Sequence, residues 1–228
     1  MPFKTEGYQV IPFLSDSQLE GFRAVIGERL EAAIQSLEVP AASTFAGEAP
    51  EIRLERIARK DRKLAESLLL SVYHTAHLDE RVSFLDGYGT LRDIAEGLLG
   101  AAVKSYTIRV RANVPSLPGR RQGWHSDVSI LDGGEFSKVR IACWMPLTKV
   151  GAHNGSLEVV PGIRTGPMAH NGDPENHTIK EEDLEGQRKL IIECGLGSAV
   201  FLDSFVPHRA IPNLSDAVRW SVVTWMMA

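Results

Sequence analysis

Apolar and polar positions alternate in two different rhythms along this chain, and the change falls near Gly100. Before it, the pattern is helical. Ser15 opens S-D-S-Q, a capping box in which Gln18 reaches back to the cap, with Leu14 and Leu19 placed to form a hydrophobic staple. Leu19, Phe22, Ile26, Leu30, Ala33 and Leu37 then recur at helical spacing. Residues 39–50 read as a loop. A second helix is expected over about 60–78, with Leu64, Leu68 and Val72 on one face. A third is expected to start at Thr90, with Asp93 in capping position, and to stop at Gly100.

After Gly100 the period shortens to two. VKSYTIRVRANV (103–114), VRIACWMPL (139–147), SLEVVPG (156–162), KLIIECG (189–195), SAVFLD (198–203) and VRWSVVTWMM (218–227) read as strands separated by Gly, Pro, Asn and Asp. Many short strands with such turns predict a sandwich, barrel or jelly roll. Between them, residues 165–188 form a long, polar, turn-rich stretch, of the kind that in a compact domain is usually functional or disordered. The expected organisation is one domain over 1–228: a helical layer at 1–100 and a β core at 101–228.

Composition narrows the function. The formal net charge of −4 gives no basic field for nucleic acid. No apolar run reaches the roughly 18 residues that span a membrane, and the first residues lack the apolar centre of a signal peptide. Cys143 and Cys194 are the only cysteines, too few for a disulfide framework, so a reducing cytoplasm is the expected location. No sequence feature sets an oligomeric state.

The candidate chemistry begins with QGWHSDVSI (122–130). On a strand, His125 and Asp127 would aim an imidazole and a carboxylate at one point, as a hydrogen-bonded pair or as two ligands of one metal. His208 follows an apolar strand that ends in a turn. Arg219 lies inside the apolar run 218–227, where a guanidinium is costly unless it meets an anion, and Ser221 faces the same way. His74 and His77, near Glu80, form a weaker metal candidate. His153, His170 and His177 lie in loops.

One assembly accounts for the His-x-Asp pair, the later histidine and the lone arginine together. Two histidines and a carboxylate on one face of a metal make the triad of non-haem iron(II) oxygenases, with positions left open for a 2-oxo acid and dioxygen. Arg219, with its forked donors, then suits the far carboxylate of 2-oxoglutarate, with a hydrogen bond from Ser221. Taken singly, each residue also has a bland structural reading.

WHSD, ACWMPLTKVGAHNGSLEVVPG, GSAVFLDSFVPHRAIPN and RWS resemble the phytanoyl-CoA dioxygenase family over about residues 100–228. Those enzymes depend on iron(II) and 2-oxoglutarate, and ectoine hydroxylase is a relative. The resemblance implies a double-stranded β-helix, a cupin-like jelly roll, behind the helical N-terminal region. It implies iron ligation by His125, Asp127 and His208, and cosubstrate binding by Arg219 and Ser221, with Asn113 and Trp144 near further cosubstrate positions. Asn154 and Gly155 would shape a turn beneath the site. The implied reaction uses dioxygen to oxidise a C–H bond of a small molecule, by hydroxylation in the first instance, with release of succinate and CO2. A carboxylate at 127 argues against halogenation, because related halogenases have Gly or Ala there.

Nothing in the sequence marks a coenzyme A thioester. Arg109, Arg111, Arg120 and Arg121 are candidates to meet a carboxylate or phosphate on the substrate, and otherwise form a solvated basic surface. The 165–188 stretch is expected to act as a lid, with His170 as a substrate contact. Two rival classes are a zinc-dependent hydrolase, since the same ligands hold zinc, and a non-catalytic cupin-like protein that binds a small molecule.

Overall fold

The two rhythms become three layers. This computed structural model describes residues 2–40, 43–87, 89–120, 122–128, 138–171 and 178–227. Arg121, His177 and the 172–177 part of the expected lid lie outside them.

The first layer is helical. A short helix α1 (Phe3–Glu6) precedes strand β1 (Tyr8–Pro12), followed by α2 (Asp16–Ser36), α3 (Pro50–Lys60), α4 (Arg62–Thr75), α5 (Glu80–Ser83) and α6 (Gly89–Leu99). The capping box at Ser15 is formed from both directions, with the Ser15 hydroxyl accepting from Gln18 N and the Gln18 side chain accepting from Ser15 N.

The sequence reading missed α3 and β1. Pro50 sits at the start of α3, Glu51 lies in its first turn, and Arg59 and Lys60 lie in its last. That arrangement matches the helix dipole. Its apolar stripe is hidden because Arg53 and Glu55, on the buried face, are charged. Arg53 pairs with Glu31 at 2.6 Å. Glu55 accepts from the Ser116 backbone N–H at 3.1 Å and pairs with Arg59 at 2.8 Å. Buried charges are tolerated when they are paired in this way.

The second layer is an antiparallel sheet ordered β1–β6–β3–β8–β2, built from β2 (Ser105–Asn113), β3 (Val139–Pro146), β6 (Ser198–Asp203) and β8 (Arg219–Met227) together with β1. The third is a smaller antiparallel sheet ordered β5–β4–β7, from β4 (Leu157–Val159), β5 (Leu190–Ile191) and β7 (His208–Ala210). Only Leu190 and Ile191 of the strand expected at 189–195 pair as strand. The two sheets with their flanking helices make a cupin-like jelly roll.

The alternation along the central strands assigns one face to each neighbouring layer. Ile141, Cys143, Met145, Phe201, Val222 and Met226 pack with the helices. Ala142, Trp144, Val200, Leu202, Val223 and Trp225 pack toward the small sheet with Leu157 and Val159. Every residue of β8 is buried. Both of its faces are covered, so it reads as one apolar run, and an arginine within it stands out.

Both cysteines are buried free thiols. Burial raises both pKa values, that of Cys194 to about 11. No helix among the described residues is long and apolar enough to cross a membrane.

Candidate active site

The His-x-Asp segment is not a strand. His125 makes a single antiparallel bridge to His208, extending the small sheet by one residue beyond β7. The bridge is a reciprocal pair: His125 N donates to His208 O at 3.0 Å, and His208 N donates to His125 O at 2.8 Å. The expected strand geometry is therefore corrected. The chain turns away after the bridge, because Ser126 N donates to the His170 side chain at 3.1 Å and Val128 N to Ser204 O at 3.3 Å.

The bridge sets two imidazoles side by side, with ring centroids 4.2 Å apart. The Nδ1 atom of His125 lies 2.8 Å from Gly123 O, and that of His208 lies 3.0 Å from Val206 O. A carbonyl only accepts, so each Nδ1 carries the proton and each Nε2 keeps a lone pair. Burial, reinforced by the neighbouring His208, holds the His125 pKa well below the ordinary histidine value. The ring is neutral and available as a ligand.

Asp127 completes the group. It is 9% exposed, and its two oxygens differ. Oδ1 accepts from Trp225 Nε1 at 2.7 Å. Oδ2 is buried without a hydrogen-bond partner and lies 3.9 Å from His208 Nε2. The ligand atoms of His125, Asp127 and His208 lie within 4.8 Å of one another. An orphaned buried carboxylate oxygen beside two imidazole lone pairs fits a divalent transition metal held by nitrogen and oxygen, with the second nitrogen of each histidine fixed from behind.

These residues open into a cavity of about 240 Å³ between the two sheets. Arg219 projects into it from β8 and is 5% exposed. Its Nε donates to Gly155 O at 2.9 Å, another guanidinium nitrogen donates to Ser221 Oγ at 2.9 Å, and its Cζ lies 5.2 Å from the Trp144 ring centroid. Among the described residues no carboxylate lies within 4 Å of it. Burial pulls its pKa down to about 10, so it keeps its charge near neutral pH. A buried, charged guanidinium that faces a cavity with no carboxylate within 4 Å of it suits an anionic ligand.

The predicted neighbours are present in the same place. Asn113, paired in register with Arg219, lines the cavity and donates to Ile211 O at 2.8 Å, leaving its Oδ1 buried and unpartnered. Trp144 lines it from β3, on the same face of the large sheet. The turn at Asn154 and Gly155 forms as expected. Asn154 Oδ1 accepts from Gly151 N at 2.9 Å. Gly155 has φ of +76°, and a Cβ there would lie 2.5 Å from Asn113 Nδ2.

Other candidates lie elsewhere. His77 Nδ1 is engaged with Tyr73 O, and the one metal-competent group among the described residues is that at 125, 127 and 208. His170 is used by the backbone: its Nε2 accepts from the Ser126 N–H, between two members of that group, and its Nδ1 faces Met168 O at 3.0 Å. Beyond it, Ile179 and Leu184 are buried against Trp124, so this part of the 165–188 stretch belongs to the packed structure.

Sequence reasoning missed Tyr73, Gln122 and Trp225, whereas Arg111, one of its four candidate arginines, lines the cavity. Trp225 was accessible, since Arg219, Ser221, Val223 and Trp225 share one face of β8. Tyr73 comes from α4 and carried no local signal.

A jelly roll that gathers two histidines, a carboxylate and a buried arginine around one cavity has the architecture of the cupin-like non-haem oxygenases. The phytanoyl-CoA dioxygenase (PhyH) sequence profile matches residues 3–221, and the chain belongs to that family. Iron(II) and 2-oxoglutarate are the cofactor and cosubstrate of the class.

Solved structures similar in fold include three proteins whose descriptions name α-ketoglutarate or 2-oxoglutarate. SnoK, described as a non-haem α-ketoglutarate-dependent carbocyclase from nogalamycin biosynthesis, is 20% identical with a TM-score of 0.56, over 99% of this chain and 81% of its own. EctD from S. alaskensis, with 2-oxoglutarate and 5-hydroxyectoine, is 18% identical with a TM-score of 0.59, over 100% and 74%. EvdO2 from Micromonospora carbonacea var. aurantiaca, complexed with 2-oxoglutarate, is 19% identical with a TM-score of 0.58, over 100% and 89%. No match to the chain exists among curated proteins.

Proposed function

We propose that the chain is a single iron(II)- and 2-oxoglutarate-dependent dioxygenase domain that oxidises, by hydroxylation, a C–H bond of a small molecule. The observation that carries this reading is Arg219: a buried cation with no acid beside it, opening into the cavity that holds the His125, Asp127 and His208 group. A zinc hydrolase would have no use for it.

In this reading His125 Nε2, His208 Nε2 and Asp127 Oδ2 hold the iron. Arg219 and Ser221 bind the distal carboxylate of 2-oxoglutarate, with Asn113 and Trp144 shaping the pocket around it. The bound iron and cosubstrate supply the oxidising chemistry of dioxygen, with 2-oxoglutarate leaving as succinate and CO2. The protein's own contribution is geometric and electrostatic. Two backbone carbonyls fix both imidazoles in the ligating tautomer, and Trp225 fixes the carboxylate. The apolar walls from Trp144, Leu157, Leu202 and Val223 exclude water from the reacting centre. His170, from the described part of the 165–188 stretch, accepts from the Ser126 N–H and so braces the segment between His125 and Asp127. Two buried free thiols suit a reducing cytoplasm.

Anaerobic titration of iron(II)-loaded protein with 2-oxoglutarate tests this. The expected result is the weak visible charge-transfer band of the chelate, reduced in Arg219→Ala and in His208→Ala. Iron binding without a band in the wild type would reject the cosubstrate assignment and favour a zinc hydrolase or a cupin-like binding protein.

A further inference from the structure

A second arginine enters the same cavity and is not used by iron or by 2-oxoglutarate. Arg111 lies on β2 directly opposite Ser221, so it shares the cavity-facing side of the sheet with Arg219 and Asn113. Arg219 is buried at depth, whereas the Arg111 side chain is exposed at the cavity's open side. Its guanidinium is held between two rings, with Cζ 5.5 Å from the Tyr73 centroid and 5.8 Å from that of Trp225. Aromatic contacts of this kind position a guanidinium without occupying its in-plane N–H donors. Tyr73 is itself fixed, because its hydroxyl accepts from Ala112 N at 2.9 Å on the free edge of β2.

The hydrogen bonding of Arg111 is local. It donates to Val110 O at 3.3 Å, and no carboxylate of the described residues lies within 4 Å of it. Asp127 is the one acid among the described residues that line the cavity. Charge accounting then points outward. With neutral imidazoles, iron(II) and dianionic 2-oxoglutarate cancel, and Asp127 balances Arg219. Arg111 is left as one positive charge facing the space where substrate must sit.

We infer that the substrate is a carboxylic acid whose carboxylate is bound by Arg111. This rests on the reading of the cavity as an iron and 2-oxoglutarate site. A single planar fork and a single surplus charge suit a monoanionic carboxylate better than a phosphate dianion, which calls for more donors. The carboxylate anchors the substrate at the open side and directs its carbon chain toward the metal group. The indole that stacks on Arg111 is also the donor to Asp127, so the anchor and the metal ligand share one rigid support.

The test is calorimetric titration, under anaerobic conditions, of protein loaded with iron(II) and saturating 2-oxoglutarate. The probes are straight-chain and phenylalkyl monocarboxylates, each with its primary amide. Wild type should bind at least one acid about tenfold or more tighter than its amide. Arg111→Gln should abolish that preference and leave amide affinity unchanged, and Arg111→Lys should keep part of it. The 2-oxoglutarate band should persist in both variants, which shows that the fold and the cosubstrate site are intact. If Arg111→Gln loses the band, the lysine variant decides.

Equal affinity for acid and amide, no binding of any acid, or a preference that survives Arg111→Gln overturns the proposal. So does a stronger preference for the matching phosphate esters. Absence of the band in wild type refutes the iron reading and takes this proposal with it, whereas a band without acid preference refutes this proposal alone.

Discussion

Trp225→Phe isolates one hydrogen bond at the heart of the candidate metal centre. The indole Nε1 donates to Asp127 Oδ1 at 2.7 Å, and both residues are 9% exposed. The acceptor is a carboxylate, so the bond is charge-assisted and contributes about 1.5–3 kcal/mol, more than a neutral pair. Without it, Asp127 has two unpartnered oxygens in place of one and is free to rotate about its side-chain bonds. Supporting contacts of this kind typically change metal affinity by about ten- to a hundredfold. Phenylalanine also leaves a space where the larger ring was, which lowers stability whatever happens at the metal.

Two measurements separate these effects. Anaerobic competition titration with iron(II) or cobalt(II) should show Kd raised by about ten- to a hundredfold. Thermal unfolding in EDTA should show a lower midpoint. A lower midpoint with metal affinity unchanged within about twofold, well inside the expected range, would refute the argument, because Trp225 would then be packing alone.

Two further outcomes are expected. Gly155→Ala places a Cβ 2.5 Å from Asn113 Nδ2 at a φ of +76°, beside the carbonyl that holds Arg219. It should cost about 1–3 kcal/mol, lower the unfolding midpoint by about 2–4 °C per kcal/mol, and weaken 2-oxoglutarate binding; an unchanged midpoint would count against it. The second concerns pH in the metal-free protein. His125 has a folded pKa well below the ordinary value, so as pH falls through about 6.5 the unfolded chain gains a proton that the folded chain refuses. Stability should be flat with respect to this group above that pH and should fall below it, by at most about 1.4 kcal/mol per pH unit. Denaturant melts in EDTA should show the slope in wild type and not in His125→Gln; equal slopes would remove the argument.

The members of the candidate site were legible because each breaks a local rule. Arg219 is a charge inside an apolar strand, His208 closes an apolar run, and His125 and Asp127 stand two apart in a turn-rich stretch. Period-two strands made a sandwich, barrel or jelly roll legible, the family resemblance implied the jelly roll among these, and α2 was legible from its stripe and its capping box. By contrast, α3 escaped because Arg53 and Glu55 occupy buried positions through partners at Glu31 and Ser116, which lie far away in the chain. β1 escaped because five residues at a sheet edge, partly exposed, carry little alternation.

The identity of the chemistry is thus a property of residue types and their order, which the chain carries locally. The arrangement that makes the chemistry selective is not. Which oxygen of Asp127 is free depends on an indole 98 residues away. The two histidines are set side by side by a reciprocal backbone pair across 83 positions of chain. Arg111 gains its orientation from a tyrosine on a helix and a tryptophan on another strand. Local sequence records the cost of placing a charge or a polar group in an apolar run. The partner that offsets this cost is chosen only when the sheets close on each other, because contact in space does not follow separation along the chain.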